Sequence, residues 1–321
     1  MPGTEDVLVA ENRGADALIS VVVPMYNEEP VARETVARLT GVMDKMGAPY
    51  ELVFIDDGSK DETVSILIEE KKKNPHVRVL KFSRNFGHQL AITAGMDHAL
   101  GEAVITIDGD LQDPPELIPE LVAKWREGFD VVYAKRRKRA GETAMKKWTA
   151  AIYYRLLRKL TNMEIPIDTG DFRLISKRAN VALSRVREHH RYLRGLVTWI
   201  GFKQTMVEYD RDKRFAGTAS YRLAQSIRLS IHGITSFSAV PLRMATFLGV
   251  ASAVLGLIVA VWLLIAKLAL HQPDLGWLAV IVGILFVGGL QMFCVGVAGE
   301  YIGMLHEEAK ERPLYFISDI Y

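Results

Sequence analysis

The sequence predicts an α/β fold in which a mostly parallel sheet, covered by helices on both faces, is followed by an interfacial helix and a two-helix transmembrane hairpin. Three observations predict it. Between residues 18 and 135, apolar runs of strand length alternate with stretches of helix length, the order that a parallel sheet requires. Those runs are nearly continuous in their apolar character, as in strands buried on both faces. Residues 244–266 and 275–299 carry no charged side chain, and at about 1.5 Å rise per residue each outlasts the roughly 30 Å hydrocarbon core of a bilayer.

Residues 1–17 contain Glu5, Asp6, Glu11 and Asp16 and no apolar stretch; they read as neither signal peptide nor anchor and are expected as a flexible tail. Strands are expected over 18–24, 51–56, 77–82 and 103–108, and helices over 29–46, 61–73 and 88–100. Lys71, Lys72 and Lys73 close the second of these helices, where basic side chains suit the dipole and face solvent. A second region, 136–220, opens on Arg136-Arg137-Lys138-Arg139, continues through a helix near 142–160 and reaches a loop from Pro166 to Arg173. Leu223, Ile227, Ile231, Ile234 and Phe237 then recur at helical spacing, which suits a helix over 221–242 lying at the membrane interface or packed on the soluble domain. The hairpin occupies 243–299. Its link, Lys267 to Asp274 with His271-Gln272-Pro273, is long enough only for a turn, so both outer ends lie on one side. Arg222, Arg228 and Arg243 before the spans, and Lys310 and Arg312 after them, put those ends and the tail 300–321 in the cytoplasm, in a multi-pass arrangement at the inner membrane.

A net charge of +2 over 321 residues, without basic residues interleaved among stacking aromatics, argues against a nucleic-acid partner. Cys294 is the only cysteine and falls inside the second apolar run, so no intrachain disulfide forms. His189 and His190 are adjacent, and helical geometry does not pair His88 with His98, so no zinc site is expected. Gln291 is the only strongly polar side chain within the spans, which argues against a transport path through them.

In open α/β sheets, ligands gather at the carboxyl ends of the strands. Four clusters fall there: Pro24-Met25-Tyr26-Asn27-Glu28, Asp56-Asp57-Gly58-Ser59, Ser83-Arg84-Asn85-Phe86-Gly87 and Asp108-Gly109-Asp110. In the last, an apolar run ends in carboxylates two residues apart, which share a face of an extended strand. Asp108 and Asp110, with Gln112 two residues on, make a hard oxygen site suited to a divalent cation that holds phosphates. An acidic turn is the plainer reading of an isolated pair of this kind; the three neighbouring clusters weigh against it. Tyr26 suits stacking on a base, and Asn27 and Glu28 suit hydrogen bonds to a ribose or base. Asp57, or Asp56 in its place, is set to accept the imide hydrogen of uracil, while the other caps the turn. Arg84, Arg136 and Arg137 offer guanidinium forks for a diphosphate, although the basic run from Lys135 to Arg139 equally suits a solvated loop or lipid headgroups.

Together with Thr169-Gly170-Asp171-Phe172-Arg173 and Gly299-Glu300-Tyr301-Ile302-Gly303, these clusters resemble the family 2 glycosyltransferases of GT-A (Rossmann-like) fold. Within that family the chain is similar to the polyprenyl-phosphate glycosyltransferases, which include dolichol-phosphate mannose synthase and the undecaprenyl-phosphate glucosyltransferases of the GtrB type. The resemblance implies a GT-A domain over 18–220, with a nucleotide-binding half, 18–135, and an acceptor-side half, 136–220. It implies Mg²⁺ or Mn²⁺ held by Asp108, Asp110 and Gln112, with Asp110 also counted among the catalytic residues. It implies a nucleoside pocket of Pro24, Tyr26, Glu28 and Asp57, and phosphate contacts from Arg84 and Arg136. Asp171, with Arg173 beside it, falls in the loop that faces the acceptor in this family. There it is either a base or an orienting group, since a lipid monophosphate with a second pKa of about 6 arrives largely dianionic. One departure stands out: the family usually places a Lys where this chain has Ser220, which leaves Arg214 or Arg222 to meet the acceptor phosphate.

The expected reaction is inverting transfer of a hexose, glucose from UDP-glucose, onto undecaprenyl phosphate at the cytoplasmic leaflet. GDP-mannose or a UDP-linked amino sugar is the rival donor. From another class, a nucleotide-binding membrane scaffold or transport accessory is the rival function. The partners are a nucleotide sugar, a polyprenyl phosphate and the bilayer, with homo-oligomerisation left open.

Overall fold

The computed structural model describes residues 11–137, 169–189, 191–210, 240–270 and 276–321. The helix expected near 142–160, residues 221–239 of the helix expected over 221–242, and Arg214, Ser220 and Arg222 lie outside these residues; residues 240–242 belong to the long helix that follows. The chain divides into two units, Met1–Ser226 with Pro313–Tyr321, and Ile227–Arg312.

The first unit is built on strands β1 (Ile19–Met25), β2 (Tyr50–Asp56), β3 (Val77–Phe82), β4 (Ala103–Thr106), β5 (Val131–Arg136), β6 (Thr169–Ser176), β7 (Gln204–Tyr209) and β8 (Ile317–Ile320). They form one sheet in the order β7-β5-β6-β4-β1-β2-β3-β8. The run β3-β2-β1-β4 is wholly parallel, with Val21 opposite both Leu52 and Ile105. Every residue of β1 and β2 is buried, which is why these strands read as continuous apolar runs. Helices α1 (Glu29–Met46), α2 (Thr63–Lys73), α3 (His88–His98) and α4 (Ile118–Arg126) follow the first four strands in turn. On α1, Val31, Thr35, Leu39 and Met43 recur every four residues and are buried, and Pro30 in the first turn and Gly47 at φ 70° set its ends.

One face of the sheet presents Val21, Val23, Phe54, Phe172 and Leu174 to Leu39 and Met43 of α1 and to Leu121 and Trp125 of α4. The other is covered by α3, which lies so close that a Cβ on Gly95 would stand 2.2 Å from Val22 Cγ1. Helices α5 (Lys177–Ser184) and α6 (Leu193–Trp199) complete the described residues of this unit.

Four expectations change. The stretch expected as a loop through Asp171 and Arg173 is strand β6, all eight residues buried, inserted antiparallel between β4 and β5. Alternation explains it: Phe172 and Leu174 enter the core on one face, leaving Asp171 and Arg173 to the other, where they neutralise each other. Strand β4 stops at Thr106, two residues before Asp108. Residues 11–17, within the expected tail, are tied down: Arg13 ion-pairs with Glu11 and with Asp130 at 2.9 Å, and Ala17 is fully buried. Residues 300–321 include β8, which pairs antiparallel with the free edge of β3, Leu80 opposite Ile320.

The second unit contains α7 (Val240–Leu270, 31 residues) and α8 (Gly276–Ala309, 34 residues). Each exceeds the expected spans, 244–266 and 275–299, because flanking residues such as Arg243 and Glu300 continue the helix. Large apolar side chains on both helices are open to their surroundings, including Phe247, Trp262, Leu285 and Met292. Helices apolar on all sides and this long suit a lipid solvent. The Cys294 thiol donates to Ala245 O at 3.4 Å between the helices, a packing role.

Candidate active site

Strand order reverses at β1, with β2 on one side and β4 on the other, so the crevice past the carboxyl ends of β1 and β4 is the topological switch point where such sheets bind ligands. Pro24 sits in the last turn of β1's pairing, where the β4 ladder has already ended at Val22, so its missing N–H costs no bond to β4. Tyr26 follows, 42% exposed and open to a ligand. Asn27 takes φ 52° and ties two loops together: its N–H donates to Ser59 Oγ at 3.0 Å and its Oδ1 accepts from Lys60 N at 2.9 Å. Glu28 N donates to Thr63 Oγ1 at 3.0 Å.

The two aspartates after β2 do different work. Asp56 is fully buried and caps the Gly58-Ser59 turn, accepting both backbone N–H groups at 3.2 Å. Asp57 accepts from Phe86 N at 2.7 Å, from Gly87 N at 2.9 Å and from Asn85 Nδ2 at 3.0 Å. Its carboxylate thereby holds the loop that carries Arg84, whose guanidinium lies 4.0 Å over the Phe86 ring. Burial pushes both acids up from the usual carboxylate range against these hydrogen bonds.

Past β4, Ile107 N still donates to Val22 O at 3.1 Å, and the chain then turns. Asp108 and Asp110 accordingly leave a tight turn, not one face of a strand: Leu111 takes φ 57° and Gln112 N donates to Asp110 Oδ1 at 3.1 Å. Gly109 makes the turn possible, since a Cβ there would lie 2.2 Å from Met25 Sδ and 3.1 Å from Pro24 O. Gly109→Ala is expected to cost about 1–3 kcal/mol by overpacking, read from urea unfolding. Asp113 is fully buried and accepts from Tyr209 OH, while Arg136, 3.5 Å from Asp113, also donates to Tyr209 OH at 3.2 Å.

Asp108 Oδ1 is buried and accepts no hydrogen bond, an orphaned acceptor. Desolvation pushes its carboxyl up to about 6, opposed by His88 and reinforced by Asp171, Asp113 and Asp110. A hard divalent cation fits here, because it supplies the ligation that His88 Nε2, 3.4 Å from the same oxygen, does not. The unfolded chain ionises this acid near pH 4 and the folded chain near 6, so its contribution falls as pH rises between them. In metal-free protein, Asp108→Asn is therefore expected to match wild type in urea stability near pH 4 and to exceed it above about pH 6.5. A gap that does not change with pH would rule this out.

Beside Asp108, Asp171 is held by two guanidinium groups and an imidazole: Arg173 Nη2 at 2.9 Å, Arg194 Nε at 3.2 Å and His88 Nε2 at 3.3 Å. Gln89 Nε2 donates to it at 3.2 Å. Burial alone would raise this acid, but Arg194, His88 and Arg173 overcome it and hold the carboxyl well below the usual range. The imidazole of His88, 3.4 Å from Asp108 and 46% exposed, is lowered by desolvation and raised further by Asp171 and Asp108, with a net rise.

Among the described residues, the ligand atoms that converge are those of His88, Asp108 and Asp171, all within 4.8 Å of one another; Asp110 stands in the same turn, and Gln112 joins it through its backbone N–H, with Pro24 at, and Tyr26, Asn27 and Glu28 beyond, the neighbouring end of β1. Gln89 and Arg194 escaped the sequence reading, which weighed His88 only as a partner of His98. His88 opens α3, and its partners lie 20 and 83 positions away, so no local spacing marks it.

Residues 20–183 match the model of Glycosyl transferase family 2. The uncharacterized glycosyltransferase YkcC of Bacillus subtilis (strain 168) is 50% identical over 302 residues, 94% of each chain. The bactoprenol glucosyl transferase of Shigella phage SfV is 41% identical over 306 residues, 94% of this chain and 98% of that one. Among solved structures, glucosyl-3-phosphoglycerate synthase of Mycobacterium tuberculosis with Mn²⁺, UDP-glucose and phosphoglyceric acid aligns at TM-score 0.51 and 20% identity, covering 70% of this chain and 80% of that one. That likeness extends to the fold, a GT-A sheet with its mixed strand order. With a switch-point crevice of carboxylates and a family match spanning half the chain, this protein belongs to glycosyltransferase family 2.

Proposed function

We propose that this glycosyltransferase moves glucose from UDP-glucose onto a polyprenyl phosphate at the cytoplasmic face of the membrane, with inversion at the sugar. The observation that carries the reading is the orphaned Asp108 oxygen at the switch point, set beside a cluster of cations. The bactoprenol glucosyl transferase name of a relative at 41% identity supports the acceptor and the sugar. Two long apolar helices supply the access to lipid that such an acceptor requires. The chain leaves the sheet unit for these helices and returns to it at β8, which supports placing both ends of the hairpin on one side.

Asp108, Asp110 and Gln112 would hold Mg²⁺ or Mn²⁺, which when bound neutralises charge on the departing diphosphate. Tyr26 stacks on the base, while Asn27 and Glu28 fix the nucleoside and Asp57, backed by Asp56, shapes the floor of its pocket. Arg84 and Arg136 meet phosphate oxygens. Asp171 is a poor base, because two guanidinium groups and an imidazole stabilise its ionised form; its work is to hold Arg173, Arg194 and His88 in place. The acceptor phosphate needs no stronger base, being largely dianionic at neutral pH with a second pKa of about 6. Its oxygen attacks the anomeric carbon in line as the nucleoside diphosphate leaves, and a single displacement inverts the centre.

The test is a transfer assay with detergent-extracted protein, one polyprenyl phosphate and a panel of radiolabelled nucleotide sugars. UDP-glucose is expected to label the lipid in a divalent-cation-dependent manner, with loss of label in EDTA. Labelling by GDP-mannose or a UDP-amino sugar alone would overturn the donor.

A further inference from the structure

The loop Ser83–Gly87, which presents Arg84, is held from two directions. From inside the sheet, Asp57 accepts its backbone N–H groups. From outside, a segment distant in sequence grips it: Ser83 N donates to Phe316 O at 3.0 Å, just before β8 pairs with β3. Tyr315 stacks on Phe82, ring centroids 5.3 Å apart and 17° from parallel, and its hydroxyl donates to Asp97 at 2.8 Å. Asp97 is anchored in turn by Arg187 at 2.6 Å. Phe82 meets Phe86 edge-on at 5.5 Å, and Phe316 leans on Phe86 at 6.3 Å. Phe86 is the ring under the Arg84 guanidinium.

An edge strand needs no such aromatic ladder to close a sheet; backbone pairing does that. The ladder instead runs from Tyr315 and Phe316 through Phe82 to Phe86 and ends at Arg84, an exposed residue whose guanidinium also donates to Asn85 O at 3.0 Å, within the same loop. We propose that Tyr315 and Phe316 are positioning residues for the nucleotide diphosphate: they fix Phe86, and through it the Arg84 guanidinium and the N–H groups that Asp57 orders. This rests on the reading of the crevice as a nucleotide site. Donor affinity, rather than the chemical step, is what the segment controls.

Phe316 is 55% exposed, so its removal takes little from the core while cutting the contact to Phe86. In full-length, detergent-extracted protein, Phe316→Ala is expected to weaken UDP binding in Mn²⁺ about threefold, and the Tyr315→Ala/Phe316→Ala pair about tenfold, given about 0.5–1.5 kcal/mol per aromatic contact. The donor KM should rise in step while kcat stays within about twofold. Hydrogen exchange at the Phe86 and Gly87 amides should quicken in both variants. Tyr315→Phe, which keeps the stacked ring, should restore most of the affinity. Wild-type UDP affinity in the double variant would overturn the proposal, as would a fall in kcat at constant donor KM. Wild-type protein that binds no nucleoside diphosphate would instead overturn the nucleotide-site reading, and the proposal with it.

Discussion

Asp110→Asn is expected to lower glucose transfer by about a thousandfold, the scale of losing a key electrostatic stabiliser of a developing anion, while the protein still folds and inserts. The geometry explains why the fold survives. Asp110 Oδ1 accepts from Gln112 N, and an amide oxygen accepts equally well, so the turn with Leu111 at φ 57° is kept. The charge is lost, and with it the hard anionic ligand that a divalent cation prefers. Label transfer to lipid and the UDP dissociation constant with and without Mn²⁺ measure the two consequences separately. Unchanged activity of the whole membrane system carrying this variant would favour a scaffold that binds nucleotide without turnover.

Asp171→Leu is expected to destabilise the sheet unit by about 3–5 kcal/mol, the range for removing one partner of a buried ion pair. Arg173 would be stranded: its side chain is 3% exposed, and Nη1 already lacks a hydrogen-bond partner. Arg194 would lose the same counter-charge. The double variant Asp171→Leu/Arg173→Met should recover much of the loss, because removing both charges leaves neither stranded. Urea midpoints of the single and double variants decide it; equal losses would mean that the pair is not coupled. The pH dependence has a definite sign. With its folded pKa depressed, Asp171 gives its full stabilisation above the unfolded value, near pH 4, and loses it as pH falls toward the lowered folded value.

Strands β1 to β4 and helices α1 to α3 were legible because each is a local pattern. Val31, Thr35, Leu39 and Met43 announce a helix face without reference to anything else in the chain. The strand-end clusters were legible for the same reason, since Asp108 and Asp110 stand at the end of an apolar run. What stayed hidden depends on distant partners. Thr169–Ser176 carries Asp171 and Arg173 among its apolar residues, and two charges in eight residues suggest a loop until they are seen to neutralise each other. His88 reads as one more helix-opening polar residue until β4 and β6 bring Asp108 and Asp171 to it. Arg13 looks like part of a tail because its partner, Asp130, is 117 positions away. Charges that cancel across the fold leave no local signature.

The pairing of β8 with β3 also sets a timetable for biosynthesis. About 235 residues separate Phe82 from Ile317, and both apolar helices are translated between them. At roughly 5–20 residues per second, the edge of β3 waits some 10–50 s for its partner. During that interval its unpaired backbone is a template for the wrong strand. The ribosome therefore finishes the sheet last, after the two apolar helices have been made, and a chain stalled in making them leaves the β3 edge open to aggregation and proteolysis.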